Sequence, residues 1–450
     1  MPDPTHIVVV GAGFAGTNLV RALAGRLPPE VRLTLLSDES YTTFNPMLPE
    51  AVGASIFPEH VIVPVREMLR PGGPRQFIMG SVAEVDLPGR RLACRTLAGV
   101  IEIGFDHLVL AVGNRARIDL MPGMAEHGLP LKTVGDAMQI RNTVLRRLAR
   151  IELETDPVLR RRLGHFIVVG GGFSGVEVAG ELVDSLRSIC HYYPLIAADE
   201  LQVTVLQGTD RLLPELSARL GAAALASLRE RGVVVRLDTR ARSVTADGVV
   251  LSDGELVPGH TVIGTIGTAA NPLLDRLGLS CSMGRVVVAA DLSVPGHAGV
   301  WAAGDCAAVP NAVDGRISPP TAQFAVRQAR HLADNLLARL AGRPTRPFGH
   351  RNRGMMATIG HLKGVADVGG IKLTGWPAWL VWRAYYLWQM PSAGRRLRIF
   401  FEWAWGMLFP PDITHLRFTR SHEMKADEAR RQREHDAAAE VPQTLPAERA

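Results

Sequence analysis

Strand-length apolar runs that end at glycine recur along this chain, separated by stretches long enough for helices. Ile7–Val10 enters Gly11-Ala-Gly13-Phe14-Ala15-Gly16 and a helix-like segment to Arg21; Val31–Leu36 follows, and Leu108–Val112 ends at Gly113. The order then repeats, with Phe166–Val169 entering Gly170-Gly-Gly172-Phe-Ser-Gly175, then Leu201–Leu206, then Thr261-Val-Ile-Gly264 running on to Gly267. Short apolar runs alternating with helix-length segments predict parallel strands joined by helices, an α/β chain. Met138–Leu163 predicts an arginine-rich helical lead-in to the second repeat, with Arg146, Arg147, Arg160, Arg161 and Arg162 on a solvated surface. Another long helix is predicted to start at Pro319-Pro320-Thr321. Phe44-Asn-Pro46-Met-Leu-Pro49-Glu50 follows neither period and predicts a connecting loop.

Each GxGxxG after an apolar run has the form of a dinucleotide fingerprint. Gly11 permits the sharp turn, Gly13 lets a pyrophosphate reach the backbone that Phe14 and Ala15 continue, and Gly16 lets the helix pack on the strand. Gly170, Gly172 and Gly175 repeat those tasks. Two fingerprints imply two dinucleotides, and one chain uses them most economically by passing a hydride between a nicotinamide and a flavin adenine dinucleotide. The acid that binds the first adenosine ribose is expected about 20 residues beyond the glycines. Ser37 holds that position and Asp38 and Glu39 follow, so the assignment stays open among them, with Asp38 as the candidate. At the second ribose the position is Gln207, which can bond a hydroxyl but repels no 2′-phosphate; NADH is the expected substrate and NADPH remains possible.

Composition narrows the class. With 47% hydrophobic residues in 450 the chain has core material for several domains. The net charge of +6 is dispersed, without the basic tract and interleaved aromatics of a nucleic-acid binder, so no nucleic acid is expected and a basic surface near an anionic membrane is. Cys94, Cys190, Cys281 and Cys306 show no CxxC spacing, which argues against a redox cysteine pair and against a metal site. Met1–His6 runs straight into the first strand with no apolar leader, so the main body is expected in the cytoplasm.

Gly299-Val-Trp301-Ala-Ala-Gly304-Asp305 resembles the return strand of two-dinucleotide flavoproteins, in which the aspartate bonds the flavin's ribityl chain. Its place after the second fingerprint implies an interrupted flavin domain: residues 1–120 and 271–345, with the NAD(P)H domain inserted at 121–270, then 346–420 as a membrane-associating region and 421–450 as a polar, disordered tail. Together with Pro319-Pro-Thr-Ala-Gln323-Phe-Ala-Val-Arg327-Gln328-Ala329, these features make residues 6–418 resemble the type II NADH dehydrogenases, single-subunit NADH:quinone oxidoreductases. The resemblance implies two Rossmann-type domains, noncovalent FAD, and electron transfer from NADH to a membrane quinone without proton pumping. It places Phe44–Glu50, Pro46 included, beside the isoalloxazine, and Gly113 and Gly267 at the closures of the two domains. It also places Glu177, in Gly-Val-Glu, near both rings, and Gln323 at the quinone pocket. Glu181 and Asp184 share the helical face of Glu177. The chain departs from the family's Ala-Gln-x-Ala-x-Gln at Arg327, which stands where the second glutamine belongs; Gln328, about 100° further round the helix, is no substitute. A soluble NAD(P)H:ferredoxin or rubredoxin reductase and a membrane-bound flavin redox sensor or scaffold are the competing readings.

Six of the seven tryptophans lie between Trp376 and Trp405. The runs Leu380–Met390 and Leu397–Phe409 are too short to cross a bilayer at about 1.5 Å per residue, and Arg383, Arg398 and Glu402 interrupt them. They predict a C-terminal amphipathic helical membrane-binding module over 376–418, aromatic side chains on the lipid side and Arg395, Arg396 and Arg398 at the headgroups. That puts the chain on the cytoplasmic face of the inner membrane as a peripheral protein. A homodimer interface is the alternative use of the same patch.

Overall fold

The computed structural model describes residues 5–69 and 75–416; the expected polar tail and the last two residues of the 376–418 segment lie outside the described residues. The first fingerprint opens the middle of a seven-stranded sheet, ordered Val300–Ala302, His107–Leu110, His6–Val10, Arg32–Ser37, Arg75–Asp86, Arg91–Thr96 and Gly99–Gly104. The first five strands run parallel, and the last two extend the sheet by antiparallel pairing. Ile7, Val8 and Val9 are fully buried, as a central strand covered on both faces requires. Phe14–Leu23 and Ala322–Leu340 pack against one another over this sheet. The antiparallel pair has mixed polar and apolar positions, and the apolar-run pattern does not reveal it.

The second sheet is wholly parallel, ordered Gly128–Pro130, Thr261–Gly264, His165–Val169, Gln202–Leu206 and Val234–Arg236. Its lead-in helix Val134–Ile151 starts at a capping box: Thr133 Oγ1 accepts from Asp136 N–H at 3.1 Å and Asp136 Oδ2 accepts from Thr133 N–H at 2.8 Å. Asn114–Ala116 pairs antiparallel with Thr268–Ala270, so the chain leaves and re-enters the first sheet through one two-stranded ribbon. This ribbon makes the second dinucleotide fold an insertion in the first.

Four local expectations need correction. Arg160 is no solvated surface residue: it is held by both carboxylate oxygens of Glu200, at 2.6 and 2.8 Å, and it donates to the Glu154 and Leu195 carbonyls. Arg147 is likewise engaged, with the His260 carbonyl at 2.9 Å. The stretch Phe44–Glu50 is a 3₁₀ turn, Asn45–Met47, leading into a short helix, Leu48–Val52, because Pro46 and Pro49 pre-set helical φ at both starts. The C-terminal region is not purely helical: an antiparallel sheet of Gly354–Thr358, Gly364–Val368 and Ile371–Thr374 precedes helices Trp376–Gln389 and Ala393–Trp405. Trp379, Trp382 and Trp403 are buried against the body of the protein, so only part of the aromatic cluster faces outward.

Candidate active site

Both fingerprints build the same cradle. A Cβ on Gly11 would lie 2.3 Å from the Ala111 carbonyl oxygen, and one on Gly16 would lie 1.8 Å from the Gly11 carbonyl oxygen; around Gly13 nothing lies within 4 Å. In the second loop, Gly175 sits equally tight against Gly170, while the space at Gly172 is open. Each following helix starts at that open glycine with no side-chain cap and no acid in its first turn. The first-turn N–H groups and the helix dipole are therefore available to a pyrophosphate, and the residues fit a dinucleotide at each loop.

Beside the first loop is a cleft of about 950 Å³, lined among others by Ser37, Asp38, Arg95, Arg115 and Arg276. Of the three ribose candidates, Ser37 and Asp38 border it; Glu39 does not line it, and its negative charge adds to burial in raising the Tyr41 hydroxyl. The carboxyl ends of three parallel strands bring Gly11, Gly113 and Gly304 together at one edge of the sheet. There Asp305 Oδ2 accepts from Asn114 Nδ2 at 3.0 Å, and Lys132 donates to the other end of that amide. Burial raises the Asp305 carboxyl against the opposing pull of Lys132 and Arg285. Gly304 N–H donates to buried Gln328 Oε1 at 2.8 Å, so Gln328 faces the return loop and not the pocket of Gln323. A second cleft, of about 580 Å³, is bordered by Gly264, Thr265, Gly267, Ser174 and Lys132 and lies at the mouth of the second sheet.

Between the two dinucleotide folds and the C-terminal region lies a buried acidic cluster. Glu177 Oε1 accepts from Thr358 N–H at 3.2 Å, and Ser55 donates to Glu181 Oε2 at 2.7 Å. Glu50, only 1% exposed, accepts from Arg383 Nη2 at 3.2 Å and from Trp403 Nε1 at 3.3 Å. Arg383 is sandwiched between the rings of Trp379 and Trp403, 4.0 and 4.5 Å from their centroids. Burial drives all three carboxyls upward: Glu177 well above the usual range, Glu50 in spite of Arg383, and Glu181 to about 8. Arg383 acts on Glu50 and Glu181, while burial and mutual repulsion favour the protonated forms of the three carboxyls. Asp184, expected on the same face, turns instead to Arg231 at 2.8 Å and to His361 N–H at 2.7 Å.

An aromatic series joins the first loop to the C-terminal helices: Phe14 to Phe44 at 5.7 Å, Phe44 to Tyr386 at 5.9 Å, Tyr386 to Trp382 at 4.8 Å. Pro46, in the turn that follows Phe44, is half-buried. Gln323 lies elsewhere. Its Oε1 accepts from Arg353 N–H at 3.3 Å and is 3.0 Å from His350 Nε2, and its Nε2 donates to the Gly354 carbonyl at 3.3 Å. Gly354–Thr358 therefore carries Gln323 at one end and Glu177 at the other, roughly 13 Å apart along an extended strand. Arg327 lies near Arg353, Arg330 and Tyr385, and burial together with its cationic neighbours pulls its pKa down. At the second ribose position, the Gln207 amide is tied inward: Oε1 accepts from Gly171 N–H at 2.8 Å and Nε2 donates to Thr209 Oγ1 at 2.7 Å.

Sequence reading missed Glu50, Arg383, Asn114 and Lys132. Arg383 did leave a signal: a lone arginine in an apolar aromatic helix calls for a buried acid. Two of the three expected headgroup arginines are also bonded within the chain. Arg395 donates to the Glu59 carbonyl at 2.6 Å and Arg396 to the Met390 carbonyl at 2.7 Å, which leaves Arg398 as the exposed one of the three.

Comparisons agree with this geometry. The model of the pyridine nucleotide-disulphide oxidoreductase family matches residues 5–329. The type II NADH:quinone oxidoreductases NdhA and Ndh of Mycobacterium tuberculosis are 30% and 27% identical to the chain, over 90% and 89% of it and 87% and 88% of their own lengths. The structure of NDH2 from Plasmodium falciparum in complex with NADH superimposes with a TM-score of 0.85 at 18% identity, over 91% of this chain and 100% of that one. A family match across both fingerprints, with a 30% identical relative along nearly the whole length, places the chain among the pyridine nucleotide-disulphide oxidoreductases and, within them, in the type II NADH:quinone oxidoreductase family.

Proposed function

We propose that this protein oxidises NADH and reduces a membrane quinone, with FAD at the first fingerprint and the nicotinamide at the second, and that it pumps no protons. The observation that carries the reading is the junction itself: Glu177, on the helix of the second fingerprint, and the C-terminal helices meet at one buried cluster, and Phe14 of the first fingerprint reaches those helices through Phe44 and Tyr386. Bound flavin supplies the two-electron chemistry that accepts a hydride on one side and delivers electrons on the other. The chain's share is to position and to handle the proton. The loops of Gly13 and Gly172 hold the two pyrophosphates, Asp305 and Asn114 offer bonds to the ribityl chain, and Phe14 and Phe44 wall the ring side. Burial pushes the Glu177 carboxyl well above its usual range, which suits it to hold the one proton that NADH + Q + H⁺ requires beyond the hydride. Gln323 and Arg327 would border the quinone.

We place the quinone side against lipid on the cytoplasmic face, where NADH is available. Trp388, Phe401 and Trp405 are 75%, 66% and 63% exposed on neighbouring helices, and Trp376, Phe400 and Leu408 are exposed on or just beyond the same two helices. No helix of the described residues is long and apolar enough to cross a membrane. The test mixes full-length protein with anionic vesicles that contain a long-chain quinone. The reading predicts that protein floats with the vesicles and that NADH oxidation follows quinone content. Protein that stays soluble, forms a dimer through this patch, and reduces a ferredoxin but not the quinone would contradict it.

A further inference from the structure

We infer that the nicotinamide site accepts NADPH as well as NADH, with Arg240 as the residue that meets the 2′-phosphate; this rests on the nicotinamide reading of the second fingerprint. In a dinucleotide fold the residue ending the second strand faces the adenosine ribose, where an acid excludes a 2′-phosphate and a nearby arginine accommodates one. Here Gln202–Leu206 ends at neutral Gln207, whose amide is committed to Gly171 N–H on one side and to Thr209 Oγ1 and the Arg211 carbonyl on the other. The strand-end position itself therefore carries no carboxylate.

The next residue, Gly208, is exposed, and a Cβ built on it would come 3.9 Å from Arg240 Nε. The Arg240 guanidinium therefore lies beside the backbone just past the ribose position, with no side chain between. Backbone bonds hold the turn that leads into Arg240 against the strand end: Thr239 N–H donates to the Gln207 carbonyl at 2.8 Å and Asp238 N–H to the Thr209 carbonyl at 2.9 Å. The other arginines about this strand end are occupied. Arg211, the nearer in sequence, donates to the Pro214 carbonyl at 2.9 Å, and Arg236 holds both oxygens of Glu255 at 2.6 Å. Among the described residues Arg240 forms no ion pair. Asp210 and Asp238 lie in the same two turns, so the rim carries mixed charge and suits tolerance of both nucleotides over selection of the phosphorylated one.

The test measures kcat/KM for NADPH and NADH with a soluble dye as acceptor, and titrates 2′,5′-ADP against 5′-ADP, in wild type and Arg240→Ala. The inference predicts that wild type uses both nucleotides and binds 2′,5′-ADP more tightly than 5′-ADP. Arg240→Ala should lower kcat/KM for NADPH and the 2′,5′-ADP affinity about tenfold, the scale of one lost charge-assisted bond, and leave NADH and 5′-ADP unchanged. Gln207→Glu should lower NADPH use as well. No preference for 2′,5′-ADP in wild type, or an equal loss for both nucleotides in Arg240→Ala, would overturn it. Tight 2′,5′-ADP binding without oxidation of either nucleotide would support the phosphate site and contradict the oxidoreductase reading instead.

Discussion

Glu181 sits one helical turn from Glu177, and its carboxyl is raised to about 8 from an ordinary 4.5 by burial first and by neighbouring Glu50 next. Folded protein therefore keeps a proton on this group between those two values while unfolded chain has lost it. The stability this proton contributes is fully present below pH 4.5 and is lost as pH rises through about 8. Melting temperature should fall over that interval, and Glu181→Gln should flatten that part of the profile; parallel profiles for wild type and variant would show that Glu181 is not the group responsible. Arg383 is the counterpart at the same scale. Its replacement by Met keeps the volume but leaves Glu50 buried without its cation, a loss of roughly 3–5 kcal/mol by denaturant unfolding. An unchanged midpoint would mean that Glu50 takes up a proton at no cost.

The elements differ in how readable they are. Parallel strands such as His6–Val10 and His165–Val169 are buried on both faces, so their apolar runs are continuous and glycine marks their ends. The sheet of Gly354–Thr374 is half-solvated and short, and neither its residues nor its spacing set it apart from loop. Helix Ala393–Trp405 reads as a surface helix from its arginines and aromatics. Its inner face nonetheless carries Ile399 and Trp403 into the core, and Glu402 accepts from Phe57 N–H at 3.1 Å. Docking of that helix is thus part of the acidic cluster: Trp403 completes the bonds of Glu50, and deletion of the helix would expose Glu50 and Arg383 along with removing the apolar surface.

At the scale of the molecule, the order of motifs is legible in the sequence and the convergence of side chains is not. Two glycine fingerprints and a return strand define an insertion by their order alone, and the ribbon of Asn114–Ala116 with Thr268–Ala270 is its physical form. Glu177 stands out in the sequence through its place after the second fingerprint. Glu50 and Arg383 meet across 333 residues, and Ser55 reaches Glu181 across 126, separations that no local pattern encodes. The same convergence sets Glu177 and Gln323 at opposite ends of one strand, Gly354–Thr358, although 146 residues of sequence separate them.

The central claim, electron transfer from NADH to quinone across this junction, is tested most directly by rapid mixing without oxygen in wild type and Glu177→Gln. Wild-type protein should bleach its flavin colour with NADH and regain it when quinone is added. Glu177→Gln should fold with full flavin content but complete the cycle about 100-fold more slowly, the scale of a lost proton-handling group. Flavin that stays oxidised in the presence of NADH, or that is reduced yet never reoxidised by any quinone, would contradict the account; wild-type rates of both halves in Glu177→Gln would remove Glu177 from it.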